Sequence, residues 1–129
     1  MRPLQKNLRH CQNVEVVEMD ITNDDSVNNA VEQVLKKYGQ IDVLVNNAGV
    51  AGFGLFESTS LENMKGLFDV NLFGVVRTYQ AVLPSMRKHK SGLIINISSG
   101  FGIFASPFVV PYQMGKFWLE ALTEVFVMK

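Results

Sequence analysis

IDVLVNNAG, residues 41–49, is a short apolar run closed by turn-forming residues. Ile41, Val43, Leu44 and Val45 barely alternate with polar neighbours, as in a strand covered on both faces. Upstream lies ITNDDSVNNAVEQVLKKYGQ, in which Val27, Ala30, Val31, Val34, Leu35 and Tyr38 recur at helical spacing. Asp24 and Asp25 suit a helix N-terminus and Gly39 supplies a stop. Before that helix, VEVVEM at 14–19 is rich in β-branched residues and reads as a strand ending at Asp20.

Downstream, Thr59 and Glu62 in TSLE form a capping box for a long helix over 60–83, which Pro84 kinks or restarts. LIINIS, 93–98, is a further buried-type strand, and after the loop SGFGIFASPFVV a helix starts at Pro111 and runs to 128. Strand and helix alternate three times. That order predicts an α/β fold, a doubly wound parallel sheet between two helical layers.

The 129 residues fit one domain. Twelve basic and twelve acidic residues cancel, and the longest basic run is MRKHK at 86–90, so no nucleic-acid footprint exists. Cys11 is the only cysteine, which excludes an internal disulfide or a cysteine-based zinc site and suits a reducing compartment. His10 and His89 stand apart from carboxylate clusters, so no metal is expected. With no apolar run of about 20 residues and no hydrophobic signal core, a cytoplasmic protein without membrane contact is the expectation.

In an open α/β sheet, ligands bind beyond the carboxyl ends of the strands. Those ends deliver Asp20, Asn46 to Gly49, and Ser98 with Ser99 to one edge. Tyr112 and Lys116, four apart in PYQMGK at 111–116, return to it on the next helix. A phenol has an ordinary pKa of about 10, and an ammonium roughly 4 Å away contributes on the order of 4 kcal/mol toward the phenolate before solvent screening. Such a pair can move a proton near neutral pH; the same spacing also serves plain packing, and either serine suits a turn. Gly49, Gly52 and Gly54 reverse the dinucleotide fingerprint and do not open directly on a helix, so they read as a loop lining a pocket. Phe53, Phe56, Phe101, Phe104 and Phe108 on the edge loops predict an apolar pocket.

Together, NNAG at 46–49, Asn71 in DVNLFG, NISS at 96–99 and Y-x-x-x-K at 112–116 resemble the short-chain dehydrogenase/reductase family along nearly the whole chain. The resemblance implies a Rossmann-type domain that transfers hydride between NADP or NAD and a carbonyl/alcohol pair. Tyr112 would be the general acid or base and Lys116 would lower its pKa and hold the nicotinamide ribose. Ser99, thirteen residues before Tyr112, would orient the substrate oxygen. Asn71 would hold a water leading from Lys116 to solvent. Asn46, Asn47, Ala48 and Gly49 would border the cofactor and Asp20 would lie beside the adenine. Arg2 resembles the basic residue that pairs with a 2′-phosphate, which points to NADP.

Met114 and Gly115 replace the family's usual Ala-Ser before the lysine. Against the family, a glycine-rich strand-loop-helix would precede Met1 and a substrate-binding segment would follow Lys129, so residues 1–129 are expected to be a partial domain. The alternative reading is a non-catalytic fragment that associates with a partner or with a second copy through helices 60–83 and 111–128. A phosphate-accepting receiver domain fits poorly, because IDVLVNN ends in asparagine where a central strand would offer aspartate.

Overall fold

The computed structural model describes residues 13–127. Arg2 and Cys11 lie outside the described residues. Helix α1, Asp24–Tyr38, is capped by Asn23, whose side chain accepts the Ser26 N–H at 2.8 Å. Asp24 and Asp25 fill its first turn and Lys36 and Lys37 its last, and Gly39, at φ 84°, closes it by donating its N–H to the Leu35 carbonyl. Strand β1, Val43–Asn46, pairs in parallel with β2, Leu93–Asn96, so that Asn46 stands opposite Asn96.

Between the strands runs a helical segment in three parts: α2, Leu61–Phe68; a widened π-helical turn, Asp69–Phe73; and α3, Gly74–His89. The α2 cap is Ser60, which accepts the Asn63 N–H at 3.1 Å, while the expected cap Thr59 donates to the Leu55 carbonyl. Pro84 neither breaks nor restarts α3. It is exposed, so water can serve the carbonyl one turn back that loses its donor. The irregularity expected there lies instead at Asp69–Phe73. Helix α4, Val110–Val127, completes the described fold.

Helix α3 is the centre of the packing. On one side Val82 and Met86 meet Val31 of α1, with Leu44 and Ile94 of the sheet beneath; on the other Val75 and Tyr79 meet Leu119 of α4. All three long helices therefore cover the face that carries Leu44 and Ile94. Val43, Val45, Leu93 and Ile95 on the opposite face are exposed. The fold is a partial parallel α/β unit of the expected class, in which the described helices lie on one face of the two strands. Apolar residues on both faces show what each strand can bury; a covering layer depends on other elements.

VEVVEM also departs from expectation: the described sheet has two strands, and 14–19 does not join it. β-Branched residues favour extended backbone, but a strand also needs a partner in register. The segment is tied to the end of α1 instead, with Glu15 accepting from Lys37 at 2.6 Å and Tyr38 at 2.8 Å. Among the described residues no helix is long and apolar enough to cross a membrane.

Candidate active site

The carboxyl ends of β1 and β2 lie side by side, and the Ile97 N–H donates to the Asn46 carbonyl at 2.9 Å, carrying the pairing one step past the ladder. Asn47, Ala48 and Gly49 follow β1 as exposed residues. Ser98 and Ser99 follow β2. Ser99 has extended backbone and its hydroxyl accepts the Phe101 N–H at 3.3 Å, opening the short turn Gly100–Gly102. The Ser98 hydroxyl points into packing beneath that turn, where a Cβ on Gly102 would stand 2.9 Å from it, and it is buried without a hydrogen-bond partner. Neighbouring residues of an extended chain face opposite ways.

The first turns of α4 bring Tyr112 and Lys116 to this edge. Lys116 is only 8% exposed, and its ammonium donates to the Ile97 carbonyl at 2.8 Å, two residues before Ser99. The same nitrogen lies 5.7 Å from the centre of the Tyr112 ring. Tyr112 is half-buried, with the Phe101 ring edge-on at 6.2 Å, and Phe101 in turn packs on Phe104 at 5.3 Å. Strand, lysine and phenol thus form one connected unit.

Asn71 sits in the π-helical turn and is buried. Its side chain accepts the Val50 N–H at 2.8 Å and donates to the Val50 carbonyl at 2.7 Å. Both ends of the amide are therefore committed to the loop after β1. A Cβ on Gly49 would come within 3.2 Å of the Asn71 oxygen, so glycine there permits the close approach. Gly115 packs on the other side of Asn71, where an added Cβ would lie 3.7 Å from the Asn71 Cβ, an ordinary contact. The space is open to the serine more usual in the family at this position.

Asn46 is 6% exposed, and its side chain faces the helices. It donates to Asn96 at 2.9 Å and accepts from Thr78 at 2.8 Å; Asn96 donates onward to the hydroxyls of Tyr79 at 2.7 Å and Thr123 at 2.9 Å. This buried network joins β1, β2, α3 and α4. The side chain of Asn46 is a strut of the sheet, and only its backbone faces the edge loop. Sequence reasoning passed over Thr78, Tyr79 and Thr123, and took Asn96 only as part of NISS. The available signal was a second asparagine ending a buried strand, since buried amides come with partners.

Asp20 is exposed in the turn before α1. Its carboxylate accepts the Thr22 hydroxyl at 2.7 Å and the Thr22 N–H at 2.9 Å, and these bonds, the hydroxyl first, hold it below the ordinary carboxylate range.

A cleft of about 490 Å³ opens beside this unit, lined by Phe53, Met64, Leu67 and Pro111 with Glu62 and Asn63 among its polar residues. The five phenylalanines do not line one pocket: Phe53 lines the cleft, whereas Phe101 packs on Tyr112 and Phe104 on Phe101. Phe108 holds a left-handed backbone, φ 67°, and its carbonyl accepts the Gly54 N–H at 2.8 Å, tying the two edge loops together. Among the described residues no cluster of three or more His, Cys, Asp or Glu is placed to hold a metal.

The family model for short chain dehydrogenase matches residues 2–129. The chain belongs to the short-chain dehydrogenase family. It is 40% identical over 116 residues to a 3-ketodihydrosphingosine reductase of Bacteroides thetaiotaomicron, an alignment covering 90% of this chain and 43% of that protein. A short-chain dehydrogenase structure from Streptomyces avermitilis superposes with a TM-score of 0.89 at 35% identity, covering 95% of this chain and 46% of the other. The structure of ElxO with NADP bound superposes with a TM-score of 0.82 at 32% identity, covering 85% and 45%. This member of the short-chain dehydrogenase family therefore spans less than half the length of these relatives.

Proposed function

We propose that this chain carries the catalytic edge of a nicotinamide-dependent oxidoreductase acting on an apolar carbonyl/alcohol pair. One observation carries the reading: the buried Lys116 ammonium is anchored on the Ile97 carbonyl, two residues before Ser99, and stands over the Tyr112 ring. Tyr112 delivers a proton to the substrate oxygen in reduction and takes it in oxidation. Lys116, with one N–H on Ile97, keeps two donors for a ribose hydroxyl. Ser99 orients the substrate oxygen, and Asn71 fixes the Val50 loop along the cofactor's border; a water held beside Asn71 would connect Lys116 to solvent. NADP or NAD, when bound, supplies or accepts the hydride. The residues present fit the nicotinamide-ribose end: Lys116 is anchored at the end of β2, and Asn47, Ala48 and Gly49 are exposed after the paired strand β1. Asp20 lies at the adenine end, and Arg2 favours NADP.

We read 1–129 as part of one dinucleotide-binding domain and, with its single cysteine, assign it to the cytoplasm. Thermal unfolding with and without excess NADPH tests the reading. At 100 times its Kd, a ligand that binds only the folded chain adds about 2.7 kcal/mol, so the midpoint should rise, and by less with NADH. An unmoved midpoint with both nucleotides would sink the catalytic reading for this chain.

A second reading rests on the surface of α4, where Met114, Phe117 and Val125 form an exposed apolar stripe at helical spacing. Burying that stripe against a second copy, with help from exposed Leu61 on α2, makes a homodimer through the helices at 60–83 and 111–128. Sedimentation velocity should show a dimer that Phe117→Asp converts to monomer. A wild-type chain that sediments as a monomer at all concentrations rules this out.

A further inference from the structure

Arg77, on α3, touches four separate points. Its Nε donates to Asp24 at the start of α1; its Nη1 reaches the Ile21 carbonyl and the Asp69 carbonyl, each at 3.3 Å, and the Asp69 carboxylate at 2.8 Å. The Arg77 side chain is about four-fifths covered, with an exposure of 21%. Ile21 adds apolar packing at the same junction, because a Cβ on Gly74 would come 2.7 Å from its Cγ1. The points on either side of Arg77 are functional in the reading above. Ile21 lies between Asp20 and Thr22, the turn whose carboxylate is held by Thr22. Asp69 begins the π-helical turn that presents Asn71 to Val50.

We infer that Arg77 is a positioning residue that keeps the Asp20–Thr22 turn and the Asn71 clamp on Val50 in one register, and so aligns the adenine and nicotinamide ends of the proposed cofactor face. The inference rests on the proposed dinucleotide reading for its purpose, but its geometry is independent of it. A guanidinium is suited to the task, because its planar fork of five donors can meet two carbonyls and two carboxylates at once. An ammonium cannot span them.

Amide hydrogen exchange by NMR on wild type, Arg77→Met and Arg77→Lys tests this without any nucleotide. Three amides report: Thr22, bonded to Asp20; Val50, bonded to Asn71; and Ile97, bonded to Asn46 away from Arg77. In both variants the Thr22 and Val50 amides should exchange faster together, by about tenfold relative to Ile97, with Lys giving the smaller change. A folded variant in which Thr22 and Val50 keep their protection relative to Ile97, or in which all three accelerate equally, overturns the proposal. If Arg77→Met does not fold, Arg77→Lys decides by the same comparison. A wild-type chain that ignores NADPH counts against the proposed reaction, and the amides still decide the role of Arg77.

Discussion

Phenylalanine in place of Tyr112 should lower kcat for carbonyl reduction by about 10²- to 10⁴-fold, the range expected when a positioned proton donor is lost. The fold should not notice. The ring keeps its edge contact with Phe101 and its place beneath the Lys116 ammonium, and among the described residues the hydroxyl has no hydrogen bond to lose. The unfolding free energy should therefore move by no more than about 0.5 kcal/mol. The two numbers must be read together. A large drop in kcat with an unmoved midpoint identifies the hydroxyl as the proton carrier. Turnover that survives intact removes Tyr112 from the chemistry and leaves helix-mediated association as the working explanation. A drop in both would mean the ring's packing was misjudged.

Leucine at Asn46 is expected to have the largest effect on stability, about 3 kcal/mol. Leucine is close in volume, so packing loss is minor, but the change strands the Asn96 oxygen. The Asn96 oxygen loses the donor it accepts from and the Thr78 hydroxyl loses one of its two acceptors, retaining the Val75 carbonyl. Thr78 is buried on α3 itself, and Asn96 is half-buried at the end of β2. Urea unfolding should show a lower midpoint with an unchanged slope. A variant within about 0.5 kcal/mol of wild type would mean that the network relaxes around the gap and that Asn46 is held for its backbone alone.

Much of the edge was legible because its chemistry lies in short, ordered stretches: each strand end is followed within a few residues by the group it delivers. The α1 boundaries were readable from Asp24, Asp25 and Gly39 for the same local reason. Three features were not. VEVVEM looks like a strand because propensity is local, whereas membership of a sheet depends on a neighbour. The one-sided cover of the sheet is hidden since Val43 and Leu44 look equally buriable in sequence. The widened turn left a trace that was overlooked. Leu67, Asn71, Val75 and Tyr79 are all buried and succeed one another by fours. On an α-helix each step of four overshoots a full turn by about 40°, or about 120° over three steps, which is roughly the rotation that one extra residue absorbs. Pro84, the conspicuous breaker, drew the expectation of a kink that this quieter spacing should have claimed.

That extra residue separates two kinds of constraint within one helix. Substitutions in Leu61–Phe68 and Gly74–His89 are judged by the core they pack against. The length of Asp69–Phe73 is judged by the loop that Asn71 holds. Deleting one residue there would restore regular winding and leave α2 and α3 facing their present neighbours, while withdrawing Asn71 from Val50. The helix would survive such an edit and the edge would not, so the turn's length as well as its Asn71 is set by the loop it holds.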